Sequence, residues 1–144
     1  MSDQLVNHAS GEIIEPRAQA EVEALLAVPE GFYGPTLGPG EVADMIEAAG
    51  ELGAHVGRVV TFLYEERHRA EEKYQAAFAD HMVMHSKHGA VLARQFAIQK
   101  TQSELHELNL AKEKLRYATE MQRAISERAI GLMSINKRLL GPRG

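Results

Sequence analysis

Glu41 to Leu140 opens EVADMIEAAGELGAHVGRVV and closes AIGLMSINKRLL, and its one hundred residues contain no proline. Apolar residues recur three and four apart almost throughout, which lines them along one face of an α-helix, whereas a half-buried strand would alternate in twos. An all-α fold is therefore expected, with the rest of the chain attached to a helical rod. From Glu41 a heptad runs Val42, Met45, Ala49, Leu52, Val56, Val59, Leu63, Glu66, Ala70, Lys73, Ala77, Asp80 and Met84, and ten of the thirteen are apolar. Beyond Leu63 the better stripe moves to Ala70, Tyr74, Phe78 and Met82, the drift of a 3.6-residue helix against a 3.5-residue repeat. Gly50, Gly53 and Gly57 each cost the helix about 1 kcal/mol relative to alanine. They are read either as a close helix crossing or as a kink near Gly50.

Lys87, His88 and Gly89 carry the signs of a helix end, a basic last turn followed by a glycine. A second heptad then runs Leu108, Ala111, Leu115, Ala118, Gln122, Ile125, Ala129, Leu132, Asn136 and Leu139, with Gln122 and Asn136 as its two polar members. Amides on such a seam set register or oligomer state. Two seams of similar length joined at a glycine favour a long antiparallel helical hairpin, or coiled coil, over 41–140, bent near 86–90. Each arm would be roughly 70 Å long; the rival geometry is one unbroken helix of about 150 Å paired with a second copy. A hairpin has little interior, and Phe62, Phe96, Ile98, Leu110, Ile130 and Met133 lie outside its stripe. A protein partner or self-association, giving a homo-oligomer, is expected to cover them.

Residues 1–40 form a separate unit. Its first ten residues are polar, and Gly11 to Glu15 suit a short extended piece or a docking tail. Pro16 fits the first turn of a short helix over about 16–28, with Ala18, Val22, Leu25 and Leu26 on one face and Pro29 as its stop. Gly31 to Gly40 holds four glycines and two prolines. It lacks the Gly-Lys-Ser/Thr ending of a phosphate loop, so it is read as a linker. Leu25, Leu26, Phe32 and Tyr33 are the candidate partner-binding residues, placed either to clasp the rod or to engage another protein. Residues 141–144 are a short tail.

With 25% charged residues, 44% apolar and no cysteine, the 144-residue chain suits one domain without disulfides or thiolate chemistry. No apolar run is long enough to span a membrane, and the amino terminus lacks a signal-peptide pattern, so a cytoplasmic location is expected. The net charge of −4 is uneven: residues 1–40 sum to −5, 41–99 to −3 and 100–144 to +4. Lys112, Lys114, Arg116, Arg123, Arg128, Lys137 and Arg138 make the second arm the candidate nucleic-acid surface. The glutamates interleaved with them favour a solvated helix face instead.

His81, His85 and His88 are spaced by four and three, so a helix would present them together as a candidate metal face. A solvent-facing or pH-sensitive contact patch is the plainer reading, because a bend offers no enclosing cavity or orienting partners. Glu65 and His68 have the Glu-x-x-His spacing of di-iron bundles, but the second arm carries no matching pair. No nucleophile motif appears. The chain is read as a non-enzyme with no cofactor.

With both arms in view, Glu51 to Leu140 resembles a group of small helical-hairpin proteins encoded by tailed bacteriophages of actinobacteria. The matching letters are Tyr74 and Ala77 on the first arm, Gly89 and Arg94 at the bend, and Leu132, Ser134 and Arg138 at the close. Ser10 to Glu15 (SGEIIE) also looks like the leader of phage replication and recombination proteins; the three histidines before the bend depart from the group. The resemblance implies phage origin and residence in a host cytoplasm or a virion. The implied role is to bind or inhibit a protein in DNA replication, recombination or host takeover. A virion or assembly component and a DNA-binding accessory protein are the alternatives.

Overall fold

The computed structural model describes residues 5–6, 13–14, 22, 26–35 and 38–141. Helix dominates them. Helix α1 spans Pro39–Met84, a short 3₁₀ turn covers Ser86–His88, helix α2 spans Ala90–Lys100 and helix α3 spans Gln102–Leu140. Two residue pairs near the amino terminus form an antiparallel bridge between β1 (Leu5–Val6) and β2 (Ile13–Ile14), with Leu5 opposite Ile14 and Val6 opposite Ile13.

Helix α1 begins where a proline belongs, in its first turn, with Glu41 beside the positive end of the helix dipole. It runs without interruption through Gly50, Gly53 and Gly57, so no break occurs near Gly50. Of the three, only Gly57 approaches the opposite arm: a Cβ built on it would lie 3.8 Å from the Gln122 side-chain nitrogen. That distance is ordinary van der Waals contact with the tip of a side chain, and open space surrounds the positions a Cβ would take at Gly50 and Gly53, so none of the three glycines is required by a close helix crossing.

The α-helix stops at Met84, and the rival single helix through 41–140 is not formed. Gly89 has φ 91° and ψ 158°, a region that other residues enter only under strain, and this lets the chain reverse. A second, smaller break falls at Thr101, between α2 and α3, where φ is −109° and ψ 18°. Its hydroxyl donates to the Ala97 carbonyl at 2.6 Å, beside its own backbone N–H, which donates to the same carbonyl at 3.1 Å. No glycine or proline marks this break in the sequence.

Contacts between α1 and α3 run in opposite senses along the two helices. Lys73 meets Glu107, Glu66 meets Lys114, and Gly57 faces Gln122, so numbers fall on one helix as they rise on the other. The seam is built from the expected apolar stripes. Val42, Ala49, Val56, Val59 and Leu63 are buried on α1, and Leu108, Ala111, Leu115, Ala118, Ile125 and Leu132 on α3. Lys73, Asp80, Met84 and Leu139 are exposed despite their heptad positions, in keeping with the drift of a 3.6-residue helix against a 3.5-residue repeat.

A third layer comes from the amino-terminal segment. Val22, Leu26 and Phe32 are buried in the same apolar cluster as Val56, Val59, Ile125 and Leu132. The Leu26 N–H donates to the Val22 carbonyl at 3.0 Å, one helical turn apart. Ala27 and Val28 are not helical, so the turn ends before the residue that precedes Pro29, where proline disfavours the α conformation. The remainder of the expected helix over 16–28, and Leu25 with it, lies outside the described residues. From Pro29 the chain makes two tight turns, Phe32 N–H to Pro29 O at 3.1 Å and Gly34 N–H to Gly31 O at 2.9 Å.

Candidate functional site

The bend end of the molecule exposes a group of large apolar side chains. Val83 and Met84 close α1, Val91 and Leu92 open α2, and all four are largely solvent-facing, at 75%, 64%, 74% and 48% exposure. They fall on the outside because the chain turns between them while Ala93 and Ala97 take the inner positions. Such large apolar side chains within one turn of a reversal are unlike the scattered single exposures of an ordinary surface.

Beside this patch the three histidines form a row. The His81 and His85 rings are 6.2 Å apart and nearly parallel, and the His85 and His88 rings are also 6.2 Å apart. Phe96 of α2 then stacks on His85 at 4.5 Å between centroids and lies 6.0 Å from His88. The row is thus closed by an aromatic face from the other side of the bend. Among the described residues no group of three or more His, Asp or Glu side chains converges to hold a metal ion. Among the described residues, two buried side-chain atoms lack a hydrogen-bond partner, His81 Nδ1 and Glu104 Oε2. Phe96 was legible only as surplus apolar surface; its pairing with His85 depends on how many residues the reversal consumes.

The partner-binding candidates separate into two kinds. Leu26 and Phe32 are inside the protein, at 0% and 4% exposure, and so clasp the rod rather than stand ready for another protein. Tyr33 is half exposed and packs edge-on against Phe32 at 5.0 Å.

The seven basic residues proposed for phosphate contact do not form one surface. Lys114 is a correction: only 2% of its side chain is exposed, and its ammonium donates to Glu66 of α1 inside the seam. A lysine one turn along from Ala111 and Ala118 points inward because the seam passes through its position, a fact that depends on register. Arg128 is a second correction. It donates from Nε to the Phe32 carbonyl at 3.0 Å and from a terminal nitrogen to the Gly34 carbonyl at 2.6 Å, so it holds the amino-terminal segment.

Arg116 is exposed but lies 2.7 Å from Glu113 and 3.7 Å from Glu120. The hydrogen bond it donates to Glu113, and then the two carboxylate charges, hold its guanidinium above the ordinary range. Arg123 pairs with Glu127 at 3.6 Å. Lys112, Lys137 and Arg138 are exposed. On α1 the Glu65 and His68 pair resolves into local ion pairs, Glu65 with Arg69 at 3.6 Å and His68 with Glu72 at 3.1 Å. Exposed pairs of this kind stabilise a helix by only about 0.3–0.5 kcal/mol each.

No helix among the described residues is long and apolar enough to cross a membrane. Comparison with known proteins finds no match, whether to a family model, a curated protein or a solved structure.

Proposed function

We propose that this chain is a non-enzymatic helical interaction protein, an antiparallel hairpin whose bend end is presented to a protein partner. The observation that carries the reading is the group Val83, Met84, Val91 and Leu92, four large apolar side chains exposed together on the two sides of Gly89. Each such side chain is worth about 1.5–3 kcal/mol when fully covered, enough in combination to anchor a partner. The long arms hold this patch away from the amino-terminal layer, so binding at the bend and packing at the other end are separable. The resemblance to phage hairpin proteins makes a DNA replication, recombination or host-takeover complex the place to look for the partner.

A DNA-binding role is the weaker reading, since of its seven basic residues one is buried, one holds backbone carbonyls and two are paired with glutamates on their own helix. The test is affinity capture with the full chain and with a variant carrying Val83→Ser, Met84→Ser, Val91→Ser and Leu92→Ser. Loss of a captured protein at unchanged helicity, read by circular dichroism, is expected. Equal capture by the two forms would sink the proposal, and binding to duplex DNA that weakens steeply with salt would favour the other role.

A further inference from the structure

From His81 to Ser103 the chain has no aspartate or glutamate, although 20 of its 144 residues are acidic. The same stretch holds Lys87, Arg94 and Lys100, all exposed, together with the exposed apolar side chains Val83, Met84, Val91, Leu92 and Ile98. Among the described residues none of these three cations makes an ion pair or a side-chain hydrogen bond. Of the two acidic residues that bound the stretch, Asp80 is exposed and Glu104 has one carboxylate oxygen buried. The stretch from Arg128 onward also lacks acidic residues, but the antiparallel order sets it beside Glu41, Asp44, Glu47 and Glu51 of α1. At the bend the chain reverses within the acid-free stretch, so its cations stay uncompensated beside an apolar patch.

Arg94 decides what can cover that patch. On α2, Val91, Arg94 and Ile98 are spaced by three and four, so they lie along one face, and all three are exposed. A partner that covered Val91 and Ile98 with apolar groups alone would strip water from the guanidinium between them and leave its charge unpaired, which is unfavourable. A carboxylate set among apolar side chains meets both demands, since it accepts two parallel hydrogen bonds from an arginine. We propose that the bend end takes an acidic amphipathic segment of a partner protein. Its apolar side chains cover Val83, Met84, Val91, Leu92 and Ile98, its aspartate or glutamate meets Arg94, and Lys87 and Lys100 stand at the rim. This deepens the reading of the bend as the partner-binding end and rests on it. Three cations fall short of the cluster of about four to eight that marks an anionic lipid surface, and the stretch has neither Trp nor Tyr to lodge at a membrane interface. The phosphates of a nucleic acid would pair with the cations but leave the five apolar side chains uncovered.

The probe is a random-peptide library selected on the full chain and depleted on the variant with Val83→Ser, Met84→Ser, Val91→Ser and Leu92→Ser. The peptides that survive are expected to interleave aspartate or glutamate with large apolar residues. One of them, synthesised and titrated by fluorescence anisotropy, should bind about tenfold more weakly to an Arg94→Glu variant. Exchanging its acidic residues for lysine should restore binding to that variant and abolish binding to the unaltered chain. Circular dichroism checks that both variants stay helical. Patch-dependent peptides that are basic or uncharged overturn the proposal while leaving the bend as a protein-binding end, and so does an Arg94→Glu variant that binds the acidic peptides as tightly as the unaltered chain. A library that yields no patch-dependent peptide also overturns it. Patch-dependent sedimentation with vesicles of phosphatidylserine and phosphatidylcholine, or a patch-dependent dimer in light scattering, identifies another occupant and overturns it equally. Affinity capture with the same serine variant decides separately whether the bend binds a protein at all.

Discussion

The two ends of this rod are packed by different means. Toward the bend the inner positions are Ala93, Ala97 and Thr101, small residues that let α2 lie close to α1 but bury little apolar area. Away from it the inner positions are Val56, Val59, Leu63, Ile125 and Leu132, and a third layer of Val22, Leu26 and Phe32 covers them. The difference teaches where stability and where recognition reside. A region of small inner residues gains little from its own burial, with Val83, Met84, Val91 and Leu92 outside; the three-layered region buries Val56, Val59, Leu63, Ile125 and Leu132 even though Ile130 and Met133 stay outside.

Truncation should separate the ends most clearly. Leu132→Ala removes a fully buried side chain from the three-layered region and is expected to cost about 2–5 kcal/mol in chemical denaturation. Leu92→Ala, at the bend, should cost less than about 0.5 kcal/mol, since its side chain is already half in water. Comparable losses at both sites would erase the contrast.

Between the two ends lies the Lys114 and Glu66 pair, the one buried lysine in an apolar seam among the described residues. Glu66→Ala leaves the Lys114 ammonium inside without that carboxylate and is expected to cost about 2 kcal/mol, less than a fully enclosed pair because water reaches Glu66. Adding Lys114→Met to it should recover most of the loss, and a double-mutant cycle measures the coupling. A coupling near zero would show that the pair does not hold the two regions in register.

Smaller effects sharpen the picture of the reversal. Gly89→Ala forces a side chain into a backbone region at φ 91° and is expected to lower stability by about 1–2 kcal/mol. The change in melting temperature should be larger than for Gly141→Ala, since the last helix can fray at its end. On the exposed side of α1, Gly50→Ala meets nothing within 4 Å and should raise stability by about 0.5–1 kcal/mol. A destabilised Gly50→Ala would mean that the helix is bent there in solution.

The histidine row illustrates the limit of local reading. That His81, His85 and His88 share a face follows from spacing by four and three, and the structure places them so. What covers them does not follow, because Phe96 reaches His85 only after the chain has turned at Gly89. Arg128 shows the same limit over a longer range. Nothing near it in the chain distinguishes it from Arg123 five residues earlier, yet one holds carbonyls ninety-four and ninety-six positions away while the other pairs with Glu127. Thr101 is a different kind of miss: a helix broken by no glycine or proline leaves no letter to find.

The amino-acid order alone determined that the chain from Glu41 onward is helical and which stripe of each helix turns inward, because helix formation and amphipathic spacing depend on residues within one or two turns of each other. Tertiary structure alone decided which residues of the two arms face one another, and so made a phosphate candidate of Lys114 into a buried partner of Glu66, Arg128 into a clasp and Phe32 into core. Register between arms is fixed by the number of residues spent in the reversal and by packing across it, and a shift of one position turns a different face inward; neither quantity is written in any short stretch of sequence.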